Sequence, residues 1–275
     1  MRIFWCEQSG IIEDRSQLVA ALESSGIEYR RLNWKRGLDD KFANVKCSED
    51  RLSWSKGREL LFNSVKNEMA KGDYIVLADD DIEIVNRPDS LEHLRTILAR
   101  FRPPLAVPYS TNRHHLSTGM EYHRLRDPEK PFPIFLADLQ VQIFRRDFAD
   151  MIFPSIYDGG YGTYWYAYFF CALKYGYGAL CIPHFMVKNL RHESVSGDYG
   201  GVTNNMSDEI WRASEQILPT RVKKWFSETK NRGVTVRVAN SWYASRPFWM
   251  MFGSLFAERK FFEFRECMKL GTWKG

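Results

Sequence analysis

The five cysteines, Cys6, Cys47, Cys171, Cys181 and Cys267, include no Cys-x-x-Cys pair, and their number is odd. That argues against a zinc knuckle and a secreted disulfide framework, and favours a reducing compartment. Residues 1–10 lack the basic start and long apolar stretch of a secretory leader. The longest nearly uncharged apolar run, 248–257, falls well short of the roughly 20 residues that span a bilayer. Charge of one sign is also scarce: 39 basic against 34 acidic residues leave +5. This is not the concentrated basic face of a nucleic-acid protein. It does suit mild attraction to a phosphorylated substrate or an anionic surface. Internal repeats and low-complexity tracts are absent.

Apolar residues make up 44% of the 275, enough to exclude disorder over most of the chain. The length fits two domains or one large α/β domain, with no need of a disulfide or metal staple. Aromatics, at 15%, suit sugar stacking, an interface or a membrane surface, although core packing accounts for most of them.

The apolar periodicity predicts strands at 2–6 and 28–32 flanking a helix at 16–24 that stops at Gly26. A polar segment at 38–50 precedes a helix at 56–70, which Gly72 ends. A short β-rich run at 73–77 leads directly into acids. This βαβ-then-αβ order argues for an α/β fold with a largely parallel sheet. A helix at 91–101 stops before Pro103-Pro104, and a strand follows at 105–108. The polar stretch 109–133, rich in His and Arg, reads as a long loop. Beyond it come a strand at 134–144 interrupted by Asp138, an aromatic helix at 163–175, a strand at 178–183, and helices near 208–216, 221–229 and 247–270.

Asp79, Asp80 and Asp81 follow Tyr74-Ile-Val-Leu77. In open α/β sheets the ligand crevice lies beyond the carboxyl ends of the strands. Consecutive acids there repel one another unless a cation or solvent screens them. On an extended segment Asp79 and Asp81 share a side. Two such carboxylates can hold a hard divalent ion and leave positions for phosphate oxygens. A solvated acidic turn is the plainer alternative.

The stretch 71–84 resembles the strand-plus-Asp-x-Asp segment of GT-A-fold glycosyltransferases, particularly the family-2-like group. Three further pieces occur in the group's order. Ser55-Lys-Gly-Arg58 with Asn63 is similar to the helix against the nucleotide. Phe144-Arg-Arg146 is similar to the strand entering the acceptor side. Gly176 to Pro183, followed by His192, is similar to the closing Gly…Pro…His pattern. The resemblance implies a Rossmann-type three-layer α/β/α domain with a mostly parallel mixed sheet and a C-terminal helical extension. The catalytic domain would span 1–205, with a nucleotide-sugar half at 1–108 and an acceptor half at 109–205. The extension, 206–275, would pack on the domain, a partner or a membrane surface.

The implied activity is metal-dependent transfer of a sugar from a nucleotide diphosphate to a hydroxyl of a glycan or glycolipid, most readily from a UDP- or GDP-sugar. Mn2+ or Mg2+ would sit on Asp79, Asp81 and His192, with His184 as the rival histidine. Asp79 and Asp80 would also meet the nucleotide-sugar. Lys56 and Arg58, at a helix start, would favour its phosphates.

The sequence departs from the group at informative places. Its first strand leads into Cys6-Glu-Gln8 instead of a Pro-x-Tyr-Asn turn. The base-reading acid after the second strand has only Asn33, Asp39 and Asp40 as candidates. Tyr164 and Trp165 stand where the group carries its acidic pair, and are expected to meet the acceptor. Asp158, in a glycine-flanked turn, and Asp138, inside an apolar strand, are the candidates for the base of an inverting transfer. A retaining transfer needs no such base. A cytoplasmic enzyme is expected, peripheral at the inner membrane face. Nucleic acid is not an expected partner, and 247–270 offers a lipid-facing stripe or a homodimer contact. A nucleotidyltransferase, or a non-catalytic carbohydrate-binding protein on the same fold, are the alternatives.

Overall fold

A computed structural model describes residues 1–11, 13–34, 39–47, 52, 54–111, 131–134, 140–153, 167, 171, 175 and 178–190. The predicted C-terminal extension, 206–275, lies outside the described residues. So do Asp138, Asp158, Tyr164, Trp165 and His192.

The first strand, β1 (Ile3–Ser9), is buried along its whole length, as a central strand covered on both faces must be. Helix α1 (Ser16–Ser24) buries Leu18 and Leu22, one turn apart. Gly26 ends it with φ +64, a left-handed conformation that costs other residues about 1–2 kcal/mol. A Cβ there would also meet the Arg95 guanidinium at 2.9 Å. Gly26→Ala is therefore expected to lower stability by about 1–2 kcal/mol, read from the urea midpoint. An unchanged midpoint would show that the turn relaxes.

Strand β2 (Glu28–Asn33) follows, then α2 (Trp54–Val65). The helix starts earlier and stops sooner than the 56–70 expected. Past Val65 the chain tightens, with the Glu68 amide on the Val65 carbonyl at 2.9 Å. Arg2 Nη1 then takes the Glu68 carbonyl at 2.7 Å.

Strand β3 (Tyr74–Asp79) carries the apolar run into the first of the three acids. A three-residue strand, β4 (Ile82–Ile84), comes directly after them and was not expected. Helix α3 (Arg87–Phe101) begins ahead of the predicted 91, with Pro88 in its first turn. It buries Ser90, Leu91, Leu94, Ile97, Leu98 and Phe101 along one stripe.

After β5 (Leu105–Ser110), the segment expected as one strand at 134–144 holds two. These are β6 (Phe132–Ile134) and β7 (Val141–Arg145). An unpredicted helix, α4 (Arg146–Ile152), follows β7 without a break. Of the aromatic helix, residues 167, 171 and 175 are described as helical. Ala167 and Cys171 are buried. Strand β8 (Ala179–Asn189) runs well past the expected end at 183.

All eight strands form one mixed sheet in the order β2-β1-β3-β7-β5-β8-β4, with β6 also on β8. β1, β2, β3, β5 and β8 run one way, and β7, β4 and β6 the other. The chain is thus a mixed α/β protein. The register of β5 on β8 slips after Pro108, where Tyr109 pairs with Met186. Pro183 falls in the skipped stretch, where its missing N–H costs no ladder bond. Phe62 of α2 stacks on Phe153 beyond α4 at 4.9 Å, and α1 touches α3.

Candidate functional site

The chain passes from β1 to β2 on one side, then to β3 on the other. Between such strands a crevice opens at their carboxyl ends. Ser9, Asn33 and Asp79 are the last residues of β1, β2 and β3.

Asp79 is held from α2. Arg58 Nη2 donates to its Oδ1 at 2.8 Å, and Trp54 Nε1 at 2.9 Å. Arg58 is 0% exposed. Its guanidinium lies 3.8 Å from the Trp54 ring centre and reaches the Gln140 carbonyl at 3.3 Å and Gln142 Oε1 at 3.5 Å. Gln8, with its amide oriented to suit its partners, donates to the Trp54 carbonyl at 3.1 Å and accepts from the indole N–H at 2.7 Å. Gly57 permits this approach, since a Cβ there would stand 2.5 Å from the Gln8 side-chain amide.

The expected phosphate grip at Arg58 is thus turned inward onto Asp79. Lys56 stays partly exposed, 3.4 Å from Glu59. Burial raises the Asp79 pKa above the usual carboxylate range, with Arg58 and Trp54 pulling it back.

Asp80 joins a different network. The Ser9 hydroxyl donates to Asp80 Oδ2 at 2.8 Å and accepts from Arg31 Nη2 at 2.9 Å. Arg31 is fully buried, paired with Asp40 at 2.7 Å and with Glu7. Arg15 reaches Glu7 at 3.1 Å. Two guanidinium and two carboxylate groups thus balance inside the protein, as buried charges must. Burial acts to raise the Asp40 pKa, but Arg31, the Phe42 amide and Asn33 outweigh it and the net shift is downward. Asp40, a candidate reader of the base, is spent on Arg31, whereas Asp39 is exposed.

Asp81 sits at the turn into β4, its carbonyl bonded by the Leu190 amide at 2.8 Å. Its Oδ1 is buried with no hydrogen-bond partner among the described residues. Burial, then Asp79 and Asp80, push its pKa up to about 7, against the pull of its own backbone amide and Asn189. A buried, partly uncompensated carboxylate beside two others suits a hard cation. Among the described residues, however, no three His, Cys, Asp or Glu side chains are placed to hold one. His192, the expected third ligand, is outside them.

The structure therefore brings together Asp79, Asp80, Asp81 and Arg58, while Lys56 pairs with Glu59 on its own helix. It adds residues the sequence reading passed over: Ser9, Arg31, Trp54, Asn189 and Trp34. Trp34, just past β2, is 44% exposed and lies against Gly10. Ser9-Gly10 at the end of β1 was the one local signal available for this part of the site.

No family model matches the chain, and no curated protein does. Among solved structures, the crystal structure of A197 from STIV is similar at a TM-score of 0.42 and 13% identity. The match covers 67% of this chain and 83% of that one. No helix among the described residues is long and apolar enough to cross a membrane.

Proposed function

We infer that the chain is a metal-dependent glycosyltransferase of GT-A type, with donor diphosphate bound at the tip of β3. The observation carrying this reading is the acidic trio beyond a parallel strand, ending in a buried carboxylate oxygen on Asp81 that no group among the described residues satisfies. The crossover order supports it too. With the right-handed crossovers that parallel strands normally take, the order β2-β1-β3 would put α1 and α2 on opposite faces, as a three-layer domain requires.

In this reading Asp79 and Asp81, with His192, hold Mn2+ or Mg2+. The ion, when bound, supplies positive charge to the leaving diphosphate. Asp80 is fixed through Ser9 and faces the donor. Trp34 offers an indole face to a planar base, and Lys56 offers an ammonium to phosphate. Asp158 or Asp138 would take the acceptor hydroxyl proton in an inverting transfer, with Tyr164 and Trp165 against the acceptor ring.

The test is the thermal midpoint of the full chain with UDP, GDP, CDP or dTDP, each with and without Mn2+. One nucleoside diphosphate is expected to stabilise only with metal, by about 2.7 kcal/mol at a hundred times its dissociation constant. Stabilisation by none of them, or equally without metal, would overturn the reading. Release of pyrophosphate in place of nucleoside diphosphate during turnover would assign a nucleotidyltransferase.

A further inference from the structure

A second group of metal-ligating side chains lies away from the acidic tip, where α3 packs on β8. His93, in the second turn of α3, and His184, on β8, have ring centres 5.0 Å apart and planes at 67°. They line a cavity of about 280 Å³ with Asn86, Asp89, Ser90 and Met186. Nε2 of His184 is buried with no hydrogen-bond partner among the described residues. The pair is held in place from behind. Ser90 Oγ lies 2.9 Å from the His184 carbonyl and 2.6 Å from that of Val85, and the Val85 amide bonds the Met186 carbonyl at 2.9 Å. Ser90 thereby ties α3 to β8 at His184, and Val85, just ahead of α3, bonds the same strand at Met186.

We propose that His93 and His184 form a bidentate site for a borderline transition-metal ion such as Zn2+, independent of the acidic tip. The ring separation is the telling quantity. Two imidazoles on one ion, with metal–nitrogen bonds of about 2.0–2.1 Å, have ring centres roughly 4.5–5.2 Å apart for angles of about 90–110° at the metal. The observed separation falls inside that window. The donors are imidazoles with a thioether nearby, a set that favours zinc, nickel or copper over magnesium.

No third His, Cys, Asp or Glu among the described residues completes the shell, which among these residues leaves the other positions to water. Asp89 lies one helical turn before His93 on the same cavity wall. It is placed to accept from a bound water or an imidazole N–H, the usual outer partner of a metal-bound histidine. Such an ion would clamp α3 to β8, the strand whose last residue, Asn189, bonds Asp81.

The experiment is a calorimetric titration of the full chain with Zn2+ in the presence of millimolar Mg2+. Stoichiometric binding is expected, weakened at least tenfold in His184→Gln and in His93→Gln, and unchanged in Asp81→Asn. Absence of binding, or binding as tight as the parent's in either histidine variant, overturns the site. Should a histidine variant fail to fold, the unmodified protein still decides. Zn2+ is expected to protect His93 and His184 from carbethoxylation, read by peptide mass spectrometry. Equal modification with and without Zn2+ overturns the proposal.

Discussion

Without metal and above neutral pH, Asp81→Asn is expected to unfold at a higher urea concentration than the parent protein. At the same time it should lose Mn2+-dependent nucleotide binding by at least tenfold. The stability half follows from linkage. In the unfolded chain this carboxyl titrates near 3.8, whereas in the fold it is pushed up to about 7. Between those values the folded protein binds the extra proton, so stability falls as pH rises through the window. Below the window both states are protonated and the penalty is absent. Above it the penalty is complete, at about 2 kcal/mol once solvent around the partly exposed carboxylate is allowed for.

Asparagine keeps the shape and removes the charge. The variant's stability should therefore be flatter than the parent's from pH 4 to 7.5. Mn2+ should flatten the parent's profile in the same way, because a cation offsets the charge that burial penalises. It should do little to the variant's stability. Equal slopes in the two proteins without metal would show that Asp81 ionises freely, and would remove the main argument for a cation there. On the catalytic side, losing a ligand to an ion that stabilises a leaving diphosphate costs several kcal/mol. A turnover loss of about a thousandfold corresponds to about 4 kcal/mol.

What the sequence disclosed follows from how local each signal is. The run Tyr74–Asp79 was legible because an apolar strand and its terminal acids are adjacent in the chain. Helix α1 was legible because Leu18 and Leu22 lie one turn apart ahead of a stopping glycine. Strand β4 was not, because Ile82-Glu-Ile84 is too short to show alternation, and its partner lies at Val187 to Asn189. Helix α4 was hidden because Arg145 ends β7 and the helix starts at the next residue, with no side-chain cap bond to mark it.

The Glu7–Arg31–Asp40 network was illegible for a different reason. Charged residues at a strand end look solvated until their partners are known. Here Arg30 and Arg31 divide, the first partly exposed and paired with Glu68, the second buried. His93 and His184 likewise belong to elements that only the sheet order brings together.

Arg58 is the clearest case of a residue whose local reading and packed position differ, and the difference is measurable. A basic residue in the first turns of a helix suggests a phosphate contact. Removing a surface contact of that kind usually changes stability by no more than about 0.5 kcal/mol. In the fold Arg58 is buried, stacked on Trp54 and bonded to Asp79 at 2.8 Å. Arg58→Met is therefore expected to cost about 3–5 kcal/mol in urea unfolding at pH 7.5, because it leaves the Asp79 charge without its counterion.

Removing the second charge should repair much of this. The double variant Arg58→Met with Asp79→Asn is expected to regain about half the loss, a coupling that neighbours in contact show and distant sites do not. Arg58→Lys should fall between, since an ammonium keeps the charge but not the planar stack on Trp54 or the reach to Gln140 and Gln142. A loss under 0.5 kcal/mol for Arg58→Met would return the residue to the surface role. The same substitution should move metal affinity in the opposite direction. Arg58 and a divalent ion both draw on the Asp79 carboxylate, so the arginine weakens the ion's hold. A folded Arg58→Met protein should then bind Mn2+ more tightly than the parent while being less stable. Tighter Mn2+ binding in the variant, read by the loss of the free-ion paramagnetic resonance signal, would place Asp79 in the metal shell. Unchanged Mn2+ binding would confine Asp79 to its pairing with Arg58 and leave the ion to Asp81 and its other ligands.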